Sequence, residues 1–389
     1  MSLTNTLDEV LRDAVGDNRV PGIVAMVADR DGEIYSGAFG KRSRDSDEPM
    51  TMDTVHWIAS MTKAVTAAGV MRLVEEGELD LDAPASRWLP MLADVAVLEG
   101  FDGDGKPQLR APKSEITTRQ LLTHSAGFGY EMWDGDIARY QEVTGLPGII
   151  ACANDSLKMP LLADPGTRWR YGIGIDLSGR IAEEITGKKI SEHLRSEVLG
   201  PLGMTSTSFK LSEDQRGRLA TMHLRDADGN LAAADLIIEQ EPEFEMSGGA
   251  LYSTAGDYLN FNRMLLGGGQ LDGTRVLRED TVAQMCSNQM GDLRVQPLVT
   301  VMPHMTGDCD IFSGVPMGWG LSNMINMEDC PTGRRAGSCA WAGLSNSYYW
   351  IDPTSGITGV YFSQILPFMD TESYPAFERF ETAVYKALA

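Results

Sequence analysis

The 389-residue chain is short of the side chains that most often carry metal and redox chemistry. Its five histidines (His56, His124, His193, His223, His304) are dispersed, and no HExxH occurs. That spacing argues against a zinc hydrolase. Five cysteines, Cys152, Cys286, Cys309, Cys330 and Cys339, include no CxxC pair. An odd, scattered set is a poor disulfide framework, so reduced thiols used mostly as core packing are expected. Only Cys330 and Cys339 are close enough for a turn to bring them together. No Gly-x-Ser-x-Gly pentapeptide is present, which removes the lipase-type hydrolase elbow. No GxGxxG or GxxxxGK[ST] loop is present either, which removes the common nucleotide sites. Neither a cofactor nor a metal is expected.

Long apolar runs are missing too. No stretch approaches the roughly 20 apolar residues of a membrane span. The opening MSLTNTLDEVLRDAVGDNRVPG has neither the basic start nor the apolar core of a signal peptide. The protein is therefore expected to be cytoplasmic, with no membrane partner. Positive charge is scarce: 33 Lys and Arg against 55 Asp and Glu give −22. Such a surface repels phosphate backbones, so nucleic acid is not an expected partner, and the charge reads as a solubility device.

What is present is an ordered alternation of patterns. Leu7, Val10, Leu11 and Val15 recur at helical spacing. Two strand-like runs, 22–29 and 33–39, flank an Arg30-Asp31-Gly32 turn. From 79 to about 200 the chain reads as short helices and loops, with 101–113 as surface loop. The aromatic-rich stretch 125–165 (Phe128, Tyr130, Trp133, Tyr140) reads as a loop wall or lid. Helices are expected at 257–266 and 279–289, strands at 318–324, 340–343, 347–351 and 359–363, and a closing helix from about 374 to 388. The order is sheet, helical insertion, sheet, which predicts an α/β architecture. The expected division is an α/β domain of 1–59 and 206–389 and a mainly helical domain of 60–205, with a site in the cleft between them.

The chemistry centres on His56-Trp57-Ile58-Ala59-Ser60-Met61-Thr62-Lys63. An almost wholly apolar helix follows (Ala64, Val65, Ala68, Val70, Met71, Leu73, Val74), and a helix apolar all round is buried. Lys63 is the only Lys, Arg, Asp or Glu between His56 and Arg72, and burying an unpaired ammonium is expensive. With Ser60 in the first turn, Lys63 at i+3 shares its face. A serine hydroxyl is a weak nucleophile until a base takes its proton, and a desolvated lysine loses enough basicity to be that base. Tyr171, after the Pro165-Gly166 turn, is the candidate second proton carrier. Ala340-Trp341-Ala342-Gly343-Leu344 is strand-like, and its small residues admit a substrate to the backbone. The Leu344 and Ser60 amides are a candidate oxyanion hole.

The order Ser-x-x-Lys, tyrosine, then a late strand motif resembles the serine β-lactamase and penicillin-binding-protein superfamily. Within it, the chain is similar to the family VIII carboxylesterases and to fungal acyltransferases of the lovastatin side-chain type. Leu121–Gly127 (LLTHSAG), Pro201–Met204 (PLGM), Ser247–Thr254 (SGGALYST) and Trp341–Gly343 (WAG) carry the resemblance, which spans about residues 20 to 385. It implies an antiparallel sheet flanked by helices, an acyl-enzyme on Ser60, and Lys63 with Tyr171 as base. Trp341, Ala342, Gly343, His124 and Tyr130 are the expected substrate-binding residues, although His124 reads more readily as a structural support. Two departures matter: Tyr171-Gly172-Ile173 stands where β-lactamases carry Tyr-x-Asn, and Trp341-Ala342-Gly343 where they carry Lys-Thr-Gly. The missing lysine removes a cation for a substrate carboxylate, which points to neutral esters with modest acyl chains. The alternatives are an acyltransferase, a weak β-lactamase, or an acyl-binding sensor without turnover; the oligomeric state stays open between monomer and dimer.

Overall fold

A computed structural model describes residues 2–388. Helix α1 (Leu3–Val15) carries an N-cap from Ser2 and buries Leu7, Leu11 and Ala14, the inward stripe its 3.6-residue period dictates. Strands β1 (Gly22–Asp29) and β2 (Glu33–Gly40) form the expected hairpin. Helix α2 (Thr62–Glu75) follows the turn Ala59–Met61. Helix α3 (Gly174–Thr186) lies in the helical middle of the chain, and α4 (Ala255–Leu266) returns towards the sheet. The sheet is completed by β3 (Met317–Trp319), β4 (Met324–Asn326), β5 (Cys339–Gly343), β6 (Ser347–Asp352) and β7 (Ile357–Phe362). The chain closes with α5 (Ser373–Leu388).

The seven strands are ordered β3-β4-β5-β6-β7-β1-β2, antiparallel throughout. Chain-distant halves therefore meet at β1 and β7, where Met26 pairs with Val360. Both faces are covered, which is why all six residues of β6 are buried. Alternation sends neighbours to opposite faces: Tyr348 stacks on Phe377 of α5, with centroids 4.5 Å apart, while Tyr349 packs against Tyr258 of α4 at 5.2 Å.

Three local expectations need correction. The stretch 101–113 is not all loop: Val97–Phe101 pairs with Pro107–Arg110 as a hairpin, whose Gly-rich tip hides it from a composition reading. The expected single strand 318–324 is two strands, β3 and β4, joined by a tight turn over 320–323 with Ser322 at φ +70° and the Gly320 amide donating to Asn323 O. The helix expected over 279–289 stops at Met285, and the amide of Gln289 bonds instead to the Trp319 carbonyl of β3. All five cysteines are free, Cys330 and Cys339 included.

Candidate active site

Ser60 lies in a single 3-10 turn, Ala59–Met61, immediately before α2. Ala59 adopts φ +43°, a sparsely populated conformation for a residue with a Cβ. The turn is held from several sides. The Ile58 amide donates to Leu251 O at 3.0 Å, and Tyr258 OH donates to Met61 O at 2.9 Å. The Trp57 indole donates to Gly249 O at 2.7 Å. Strand β5 presses on the same turn: a Cβ at Gly343 would sit 2.3 Å from Ile58 O. Only glycine allows that approach.

Lys63, the second residue of α2, is 1% exposed. Its Nζ donates to Ser60 Oγ at 3.1 Å and to Gly248 O at 2.6 Å. The ammonium also lies 4.8 Å from the Tyr171 ring centroid and 5.1 Å from that of Tyr130. Burial depresses the lysine pKa to about 7, against an opposing pull from Asp176. The amine is therefore half neutral near physiological pH, as a base for serine must be.

Asp176, buried in α3, escaped the sequence reading. Its Oδ1 accepts from the Gly248 amide at 2.8 Å, and its Oδ2 accepts from Tyr130 OH at 3.4 Å. Burial raises its pKa while the Lys63 charge lowers it. One glycine thus holds both charged groups, its carbonyl taking the lysine and its N–H serving the aspartate. The available signal was an acid in the first turn of an otherwise apolar helix face, five residues after Tyr171. The segment 247–254 escaped as well, noticed only as a motif. Besides Gly248, it supplies the Leu251 carbonyl to Ile58 and the Leu251 amide to Thr62 Oγ1.

Tyr171 is 2% exposed, and burial raises its pKa, partly offset by hydrogen bonding to Ser60 and Trp341. Trp341 was expected as an apolar wall, but its indole Nε1 donates to Tyr171 OH at 2.9 Å. His124, at φ +55°, packs its ring 4.6 Å from that of Tyr171 and accepts the Gly172 amide on Nδ1 at 3.3 Å. Burial and the Lys63 charge hold it neutral. It braces the tyrosine loop. Tyr130 and Leu344 line a cleft with Ser60, together with Trp57, Met132, Ile149 and Met246. Ala342 lies on β5 opposite Tyr348, outside that lining. Among the described residues, no group of three or more His, Cys, Asp or Glu side chains could hold a metal ion.

The sheet, its helical cover and this Ser-Lys-Tyr cluster define a protein of the β-lactamase and penicillin-binding-protein fold. The model of the beta-lactamase family matches residues 7–383, and the chain belongs to that family. It is 32% identical over 404 aligned positions to monacolin J acid methylbutanoyltransferase of Aspergillus terreus, covering 97% of this chain and 95% of that protein. It is 30% identical to the lovastatin esterase of Penicillium rubens, covering 91% of each. A solved variant of simvastatin synthase (LovD) from Aspergillus terreus superposes with a TM-score of 0.86 at 31% identity, covering 98% of this chain and 96% of that one. No described helix is long and apolar enough to cross a membrane.

Proposed function

We propose that this chain is a serine carboxylesterase that hydrolyses short- to medium-chain acyl esters through an acyl-enzyme on Ser60. The observation that carries the reading is the buried Lys63 amine, 3.1 Å from Ser60 Oγ, with a pKa near 7. In the first half-reaction Ser60 Oγ bonds to the ester carbonyl carbon while its proton passes to Lys63. The amides of Ser60 and Leu344 hold the oxyanion. The C–O bond to the alcohol breaks, and the alcohol leaves with a proton relayed through Tyr171. Water then repeats the sequence and releases the acid.

Tyr130 lines the cleft beside Ser60, whereas Trp341 and Gly343, expected there as substrate-binding residues, act behind the lining: Trp341 bonds Tyr171 OH, Gly343 packs on the Ser60 turn, and His124 supports Tyr171. The acyl cleft is apolar and narrow, about 40 Å³, little more than one water molecule's share of the liquid. Longer acyl chains need Met132 and Met246 to turn aside, which flexible thioethers do readily. The reading retains an α/β part of 1–59 and 206–389 and a helical part of 60–205, with the site between them.

A p-nitrophenyl ester chain-length panel beside nitrocefin, with Ser60→Ala as control, tests this reading. Preference for two- to eight-carbon acyl groups with slow nitrocefin turnover is expected; nitrocefin turned over faster than every ester would overturn it. Acyl transfer is the second reading, favoured by the transferase similar over 97% of this chain. A thioester donor with and without an acceptor alcohol separates the two. Covalent labelling without turnover would instead indicate a sensor.

A further inference from the structure

A second cavity, of about 630 Å³, adjoins the catalytic cleft, and Trp133 lines both. Tyr171 lines the outer cavity as well, and its hydroxyl is tied to Ser60 and Trp341. The leaving alcohol collects its proton at Tyr171, so the alcohol part of a substrate extends to the Tyr171 side.

The charge lining this outer cavity runs against the rest of the molecule. In a chain of net charge −22, its wall holds three arginines, Arg168, Arg170 and Arg294, against two carboxylates, Asp134 and Asp292. Arg170 is tied to Asp134 at 2.7 Å. Arg294 spends Nη1 on the backbone carbonyls of Gly291 and Leu293. Arg168 is exposed, and among the described residues neither it nor Arg294 forms an ion pair with a carboxylate. Once the Arg170–Asp134 pair is set aside, two guanidiniums face one carboxylate. Guanidinium is weakly hydrated and presents a fork that matches the oxygens of a carboxylate or phosphate.

We propose that the outer cavity is the alcohol subsite and that Arg168 and Arg294 there bind an oxyanion, carboxylate or phosphate, on the alcohol portion of the substrate. The proposal rests on the esterase reading and deepens it. The cation missing at position 341 is supplied elsewhere, on the leaving-group side. The acyl side stays apolar.

The test separates binding from turnover. The Ser60→Ala protein is titrated calorimetrically with 4-hydroxybenzoate, 4-hydroxyphenyl phosphate and neutral 4-hydroxybenzamide. One or both anions are expected to bind about tenfold or more tightly than the amide, as charge-assisted contacts allow; which one binds names the oxyanion. Adding Arg168→Gln and Arg294→Gln should bring that preference down to the amide level, with Arg294→Lys restoring part of it. In the active enzyme, the butyryl esters of the same three phenols should show the same fall in the anionic-to-neutral ratio of kcat/KM. Equal binding of anions and amide, or a preference that survives the double substitution, overturns the proposal even if neutral esters are hydrolysed. Intact anion binding without hydrolysis of any ester sinks the esterase reading instead.

Discussion

The indole N–H of Trp341 points at the phenol oxygen of Tyr171, 2.9 Å away, from the strand segment that the sequence resemblance matches to the β-lactamase Lys-Thr-Gly. A neutral donor has replaced a cation. It orients the phenol and leaves its pKa raised by burial. In the proposed mechanism, proton removal from serine then falls to Lys63, with Tyr171 passing protons on. Trp341→Phe keeps the ring wall and removes the donor. Losing one buried hydrogen bond of about 0.5–1.5 kcal/mol predicts a fall of roughly 2- to 12-fold in kcat at nearly constant KM. Steady-state kinetics on one p-nitrophenyl ester decide it, and an unchanged kcat removes the role.

Ser60→Ala deletes the proposed nucleophile and is expected to leave the fold intact, because the turn is held by backbone groups of Ile58 and Met61. Ester hydrolysis is expected to drop by at least about 10³-fold, on the scale of other nucleophile deletions, with the thermal midpoint unmoved. A variant retaining more than a tenth of the rate would place the chemistry elsewhere.

The acid limb of the pH profile reports Lys63. Its pKa is lowered from 10.5 to about 7, burial being the cause, so the neutral base accumulates above pH 7 and is lost below. The kcat/KM value should rise with pH through a midpoint near 7. The Asp176 charge raises the lysine pKa, so Asp176→Asn, which can still accept the Gly248 amide, should move that midpoint acidward by about one unit or more. A profile unmoved by this substitution would show that another group titrates.

Gly343→Ala tests the contact between strand and nucleophile turn. The new methyl would meet backbone, Ile58 O at 2.3 Å, where no side chain can swing away. A destabilisation of about 1–3 kcal/mol is expected from overpacking, seen as a lowered denaturation midpoint. Activity should fall further than stability explains, since both Ser60 and Leu344 flank the displaced atoms.

A stability test away from the site uses the pair of Arg334 and Glu381, 2.6 Å apart with side chains at most 2% exposed. Arg334→Met leaves a buried carboxylate unpaired, and a loss of about 3–5 kcal/mol is expected. Chemical denaturation measures it. Activity at low temperature should persist, because the pair ties the loop before β5 to α5, on the face of the sheet opposite α4.

The pairing of Ser60 with Lys63 was legible in the one-dimensional pattern. A single charge inside an apolar helix must be buried at a cost, and i+3 spacing alone puts Lys63 beside Ser60. The β1–β2 hairpin, the later strands β5 to β7 and the helical middle were legible for a similar reason, since period and turn residues are local properties; the β3–β4 hairpin was not. What the string could not disclose were partners distant in sequence. Gly248 reaches Lys63 across 185 positions and Trp341 reaches Tyr171 across 170, and no local propensity encodes such pairings. Asp176 and the two cavities belong to the same class, since segments far apart in the chain pack together to form them. Spacing determined which groups could meet; the folded chain decided how deeply the amine is buried and which distant groups hold it.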